Sequence, residues 1–171
     1  MRRRDVLLVP LLFAAGCGRP RPIDLEPTLE EQSPLASIVY TKDAETAPQL
    51  LRGFHQLEAT WRWTMPTFAV ELLSPVPAGE PARLTLKFAI PELSISRLGR
   101  ITLSASAGDV ALAPETYTTA GNHAYQRDLP ASALRQNLVT AQFSVDKFLP
   151  AGSVDGRDLG VIVFSIGLER L

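Results

Sequence analysis

The chain reads as an all-β protein, an antiparallel β-sandwich of jelly-roll type with seven to eight strands and little helix. Three observations carry that expectation. Apolar and polar residues alternate in short runs, the period of two that a strand with one buried face requires. The 14 prolines and 11 glycines are scattered between and within these runs, at a density long helices do not tolerate. No long amphipathic helix separates the runs, so a parallel βαβ sheet would lack its crossovers.

In chain order, SIVYT (37–41) is a short β-type run, and KDAETAPQLLRG (42–53) is a polar loop with one helical turn. FHQLEATWRWT (54–64) is a single aromatic-rich stretch. TFAVELLSP (67–75) sets Phe68, Val70 and Leu72 on one face. PARLTLKFAIPE (81–92) alternates Leu84, Leu86, Phe88 and Ile90 against Arg83, Thr85 and Lys87. GRITLSASAGDVALAP (99–114) makes two shorter strands around Ala107-Gly108-Asp109. HAYQRDLP (123–130) and NLVTAQFSVDKFLP (137–150) add two more. LGVIVFSIGLERL (159–171) closes the series, with Val161, Val163, Ser165, Gly167 and Glu169 opposing Ile162, Phe164, Ile166 and Leu168.

A chain of 171 residues with 46% hydrophobic and 20% charged side chains supports one domain with a core. Setting aside Arg2, Arg3, Arg4 and Asp5 from the 17 basic and 18 acidic residues leaves an acidic excess of three. That balance supplies no basic face for a phosphate backbone, so no nucleic-acid partner is expected.

The N-terminus divides the chain further. Arg2–Arg4 form a cationic start, and Val6–Ala15 form an apolar run too short to span a bilayer as a helix, which takes roughly 20 residues. Ala14, Ala15 and Gly16 then precede Cys17, the only cysteine. This segment resembles the lipobox of bacterial lipoproteins, with Ala14 where Leu is usual three positions before the cysteine. The resemblance implies cleavage before Cys17 and its lipidation, which would anchor the chain without a transmembrane helix. The alternative is an ordinary secretory signal followed by an incidental cysteine. A lone exposed thiol is a liability outside the cell, which favours the lipidated form. Gly18 rather than Asp after the cysteine resembles the outer-membrane sorting pattern of Gram-negative lipoproteins. The expected organisation is a signal over 1–16, a lipidated cysteine and Pro-rich tether over 17–35, and the sandwich over 36–171.

RGFHQLEATWRWT (52–64) carries Gly53, Phe54, Glu58, Trp61, Arg62 and Trp63. It resembles the opening of a galactose-binding-like jelly roll found in bacterial surface-polysaccharide proteins and glycosyltransferases. GRDLGVIVFSIGLERL (156–171) is similar to the closing strand of the same domains. The resemblance implies a fold and an association with extracellular carbohydrate, but no activity.

Neither histidine, His55 or His123, has metal-ligand company in sequence, and no zinc, calcium, nucleotide or nucleophile-elbow motif occurs. No cofactor or metal is expected. Glu58, Glu71, Glu92, Asp109, Asp128 and Asp155 could pair as a glycosidase dyad, but no spacing selects two of them, and solvated faces and turns are the favoured account. An ion pair from Arg62 or Arg157 to Glu58 or Asp158 would be structural. Trp61 and Trp63 share side-chain parity, and burial of at least one in the core is the favoured outcome over a sugar-stacking face. TTAGNHAYQRDLP (118–130) reads as a polar loop at the end of the sandwich. If a ligand site exists, its candidates are Tyr125, Arg127, Asn122 and His55. The expected function is a lipid-anchored, non-catalytic envelope module that binds or organises cell-surface carbohydrate. The alternatives are an assembly lipoprotein docking on an envelope protein and, third, a small envelope hydrolase.

Overall fold

The computed structural model describes residues 35–171. The lipobox and Cys17 lie outside the described residues. Nine strands follow in chain order: β1 Ile38–Tyr40, β2 Leu50–Phe54, β3 Arg62–Leu73, β4 Ala82–Ile90, β5 Ile101–Ala107, β6 Val110–Tyr117, β7 Gly121–Leu129, β8 Leu138–Val145 and β9 Ile162–Arg170. Every pairing is antiparallel. One sheet runs β2-β3-β8-β5-β6; the other runs β7-β4-β9 and is completed by β1 and the N-terminal end of β3. The expected all-β sandwich is present, with nine strands rather than seven or eight.

The alternation read from the sequence builds the core. Phe68, Val70 and Leu72 of β3, Leu84, Leu86, Phe88 and Ile90 of β4, and Val139, Ala141 and Phe143 of β8 are all buried in one cluster. Phe68 and Phe143 stack with centroids 5.1 Å apart. Each such side chain contributes about 1.5–3 kcal/mol on leaving water, and the cluster draws on both sheets, which holds them face to face.

β3 belongs to both sheets. Arg62 and Trp63 pair with β9, whereas Thr67–Leu73 pair with β8. Pro66, which lacks an N–H, sits where the partner changes and no ladder donor is required. Two glycines admit neighbouring backbone closely there. A Cβ on Gly160 would lie 2.8 Å from the Met65 carbonyl oxygen, and one on Gly53 (φ 77°) would collide with the Thr67 carbonyl.

Four segments differ from expectation. FHQLEATWRWT is not one stretch: β2 ends at Phe54, and a tight turn, bridged between Glu58 and Trp61 with Ala59 at φ 51°, precedes β3. β3 then runs unbroken through Leu73. PELSISRLG forms a short helix, α1 (Glu92–Leu98), opened after Pro91 and ended at Gly99 (φ 75°). The presumed end loop 118–130 is mostly β7, an edge strand paired along its length with β4, which bears out the strand read over 123–130 and extends it to Gly121. In β9 strict alternation fails, because Lys87 pairs with Ser165 while Phe88 pairs with Val163. Phe164 is therefore an extra residue, a β-bulge that shifts the inward set from Val161 and Val163 to Ile166 and Leu168. Thr41 holds the bulge: its hydroxyl donates to the Val163 carbonyl at 2.7 Å and its N–H to that of Phe164 at 2.9 Å.

Candidate functional site

The four candidates from sequence do not form one site. Tyr125 is fully buried. Its hydroxyl donates to the Ala113 carbonyl at 2.8 Å, so its ring is unavailable for stacking on a sugar. Arg127 lies over that ring, 4.2 Å from the centroid, donates to Ala113 and Pro114 carbonyls, and pairs with Glu115 at 3.0 Å. The pair closes the open side of the sandwich by joining β7 to a bulge in β6, and the ligand role expected for both is corrected to a structural one. His55 lies elsewhere, on the chain leaving β2, with Nε2 2.8 Å from the Asp158 carbonyl oxygen. Its neighbour Arg157 binds Glu58 at 2.6 Å and Asp155 at 2.7 Å, tying the loop before β9 to the β2–β3 turn. Of the ion pairs considered between Arg62 or Arg157 and Glu58 or Asp158, Arg157–Glu58 is present, but it is partly exposed rather than buried. Arg62 instead donates to backbone, the Thr41 and His55 carbonyls.

Asn122 alone keeps an exposed position that other groups join. On the outer face of the β7-β4-β9 sheet, two cross-strand rows can be followed residue by residue. One is Trp63, Ile162, Ala89 and Asn122; the other is Tyr40, Ser165, Lys87 and Ala124. Phe164 joins them on this face because the bulge adds it between the rows. A trough of about 400 Å³ is lined by Lys87, Phe88, Asn122, His123, Ala124 and Phe164. A smaller recess beside it is lined by Tyr40, Lys87, Thr85, Ser165 and Glu169 among others. Tyr40 is 46% exposed, while Phe164 and both tryptophans are half-buried. Neither tryptophan is in the core, contrary to the favoured expectation, because Trp63 follows the outward parity of Ile162.

The trough thus pairs flat apolar surface with groups that hydrogen-bond. The ring face of Phe164 in the trough, and that of Tyr40 in the adjoining recess, can cover an apolar ligand face, while the Asn122 amide and the Lys87 ammonium can bind hydroxyls or an anion. His123 contributes shape: its ring lies 4.8 Å from Tyr117 and 5.6 Å from Phe88, with Nε2 2.9 Å from the Thr119 carbonyl. Another recess of about 320 Å³, at the Gly108–Asp109 turn, is lined by Ser132, Arg135, Gln136 and Thr140 and contains no aromatic ring. Tyr40, Lys87 and Phe164 were not among the sequence candidates. Lys87 was legible on the polar face of β4, but Phe164 was not, since the bulge that turns it outward has no marker in the alternation.

Several carboxylates are held by cations or backbone N–H groups, Glu58 and Asp155 by the same Arg157. The Arg157 guanidinium holds Asp155 below the usual carboxylate range, and that of Arg83 does the same for Asp128. Asp146 accepts from the Thr102 N–H at 2.6 Å, and Asp158 from that of Ala151 at 2.8 Å. Among the described residues no group of three or more His, Cys, Asp or Glu side chains is placed to hold a metal ion. No helix among them is long and apolar enough to cross a membrane.

No protein-family model and no curated protein sequence matches the chain. Among solved structures it is similar to a family GH115 4-O-methyl-α-glucuronidase with specificity for decorated arabinogalactans (TM-score 0.49, 9% identity, 81% of this chain and 18% of that one). It is similar also to a ruminal GH26 endo-β-1,4-mannanase (TM-score 0.41, 11% identity, 83% and 27%) and to a CBM4 (TM-score 0.36, 9% identity, 78% and 85%). The chain therefore spans about a fifth of the first of these proteins. With TM-scores below 0.5, these likenesses assign no function to it.

Proposed function

We propose that this chain is a lipid-anchored, non-catalytic module of the bacterial cell envelope that binds cell-surface carbohydrate on the outer face of the β7-β4-β9 sheet. The observation that carries the reading is the trough, where Phe164 offers ring surface beside Asn122 and Lys87, with the exposed Tyr40 in the adjoining recess that Lys87 also lines. Sugars present the same combination, an apolar ring face edged by hydroxyls. The anchor rests on the lipobox ending at Cys17, and the Gly18 that follows favours the outer membrane. Of the six carboxylates considered as a dyad, Asp128 and Asp155 are each held by an arginine that lowers their pKa, away from the raised value a glycosidase acid needs.

The test is binding of the full-length chain, in detergent, to glycans extracted from its own envelope. Saturable binding that weakens about tenfold in Tyr40→Ala and in Asn122→Ala, a loss of roughly 1.4 kcal/mol, supports the reading. Absence of binding to every envelope glycan overturns it. Metabolic labelling with palmitate, retained in the parent and lost in Cys17→Ser, tests the anchor. A second reading, docking on an envelope protein, is favoured by the exposure of Leu51, Leu57 and Met65 along the β2–β3 segment. It predicts a crosslinked partner that disappears when these three residues are made polar.

A further inference from the structure

The charges on this face narrow the class of sugar, on the reading just given that the face binds carbohydrate. Lys87 stands in the middle of β4, exposed, and lines both the trough and the smaller recess. It forms no ion pair with a described residue. Arg83 and Asp128 neutralise each other at 2.7 Å. Glu169 lies opposite Arg83 in the ladder, and one of its carboxylate oxygens is 3.4 Å from the Thr85 hydroxyl, which can donate to it. Glu169 lines the recess but not the trough. Of the six residues that line the trough, Lys87 carries the only permanent charge, and none is a carboxylate.

We infer that the trough takes an acidic sugar, a uronate, whose carboxylate is bound by the Lys87 ammonium. The apolar ring face then lies toward Phe164 and the ring hydroxyls reach the Asn122 amide. A neutral sugar would leave the ammonium with hydroxyl acceptors only, whereas a carboxylate adds the direct attraction of an opposite charge to the hydrogen bond. The same ammonium would repel a cationic amino sugar, so the one charge supplies selection in both directions.

The experiment titrates the full-length chain, in detergent, with polygalacturonate, alginate and hyaluronan, each beside its carboxyl-reduced counterpart. At least one acidic polymer is expected to bind about tenfold more tightly than its reduced form, the size of one charge-assisted contact. Lys87→Gln should abolish that difference and Lys87→Arg should keep it. An unchanged urea midpoint shows that each variant is folded. Equal binding of both members of every pair that binds, or a preference that survives Lys87→Gln, overturns the inference and leaves the carbohydrate reading standing. Binding to no member of any pair, together with no binding to envelope glycans, removes both.

Discussion

Tyr125 and Arg127 share one acceptor: the Tyr125 hydroxyl and the Arg127 Nε donate to the Ala113 carbonyl at 2.8 and 2.9 Å. That carbonyl is free because Ala113 and Pro114 lie in the irregular part of β6, where the β5 ladder skips from Glu115 to Leu112. The bulge presents an unpaired acceptor and the edge strand β7 supplies two donors, so the open side of the sandwich is held by side chains. Arg127 also donates to the carbonyl of Gln126 at 2.6 Å, which blunts an edge otherwise available to another strand.

Tyr125→Phe should therefore cost about 1 kcal/mol, one hydrogen bond with the ring retained. Arg127→Ala should cost roughly 1–2 kcal/mol, through the lost carbonyl contacts and the lost stacking on Tyr125. The double variant should cost less than the sum of the two, because both donors serve one acceptor. Urea denaturation measures all three. Glycan binding should be unchanged in each folded variant, the opposite of what their candidacy as ligand residues predicted.

Tyr117 supplies a test in the other direction. It is 7% exposed, packs edge-on against Phe88, and its hydroxyl has no partner among the described residues. Tyr117→Phe removes an unsatisfied polar atom and should stabilise the fold by about 1 kcal/mol. Burial, followed by the nearby Glu115 charge, raises its pKa above the ordinary value near 10, and burial raises that of Tyr125 as well. A raised folded value means stability that is intact below pH 10 and lost as pH rises beyond it, when the unfolded phenols ionise and the folded ones do not. Denaturation midpoints between about pH 8 and 11 should fall less steeply in Tyr117→Phe than in the parent.

At acid pH the sign reverses. Asp155 and Asp128 are lowered from an ordinary value of 3.8 by their hydrogen bonds to Arg157 and Arg83. Their contribution is present above that value and is lost as pH falls through the lower folded values. The denaturation midpoint should hold from neutral pH to about 5 and decline below about 4. Arg157→Gln should flatten the decline. A curve identical to the parent's would mean that this pair adds nothing to stability, as many exposed ion pairs do not.

Gln49 fixes the start of the described chain. Its amide nitrogen donates to the Ala36 and Glu71 carbonyls at 2.9 and 2.7 Å, and its oxygen accepts from the Ala36 N–H at 2.9 Å. The side chain is 3% exposed, so no water replaces these bonds cheaply. Gln49→Ala should destabilise the fold by about 2–4 kcal/mol, and amides of β1 should exchange faster than those of β8.

The sandwich was legible where one face of a strand is buried and the other is wet. β4 is the clearest case: Leu84, Leu86, Phe88 and Ile90 are within 1% of full burial, and Lys87 and Arg83 face out. Helix α1 escaped notice because seven residues are too few to display a 3.6-residue period. β7 was legible in part, as the strand over 123–130, while the loop reading of 118–130 arose because its polar residues reflect an edge position and the Asn122 turn signal falls just inside the strand. Tyr125 and Arg127 are aromatic and basic, as ligand residues often are, and nothing local distinguishes them from a clamp.

By itself, then, the sequence determined the fold class, the strands with one buried face and the slight acidic excess of the chain. These follow from periodicity and charge, which act between near neighbours or through the whole composition. Only the tertiary structure decided which polar and aromatic residues face a common space. The rows joining Trp63 to Asn122 and Tyr40 to Ala124 each cross several strands distant in sequence, and the Phe164 bulge between them exists only because β9 must match β4 on one side and β1 on the other. Register between strands far apart in the chain is set by packing, and packing has no one-residue signature.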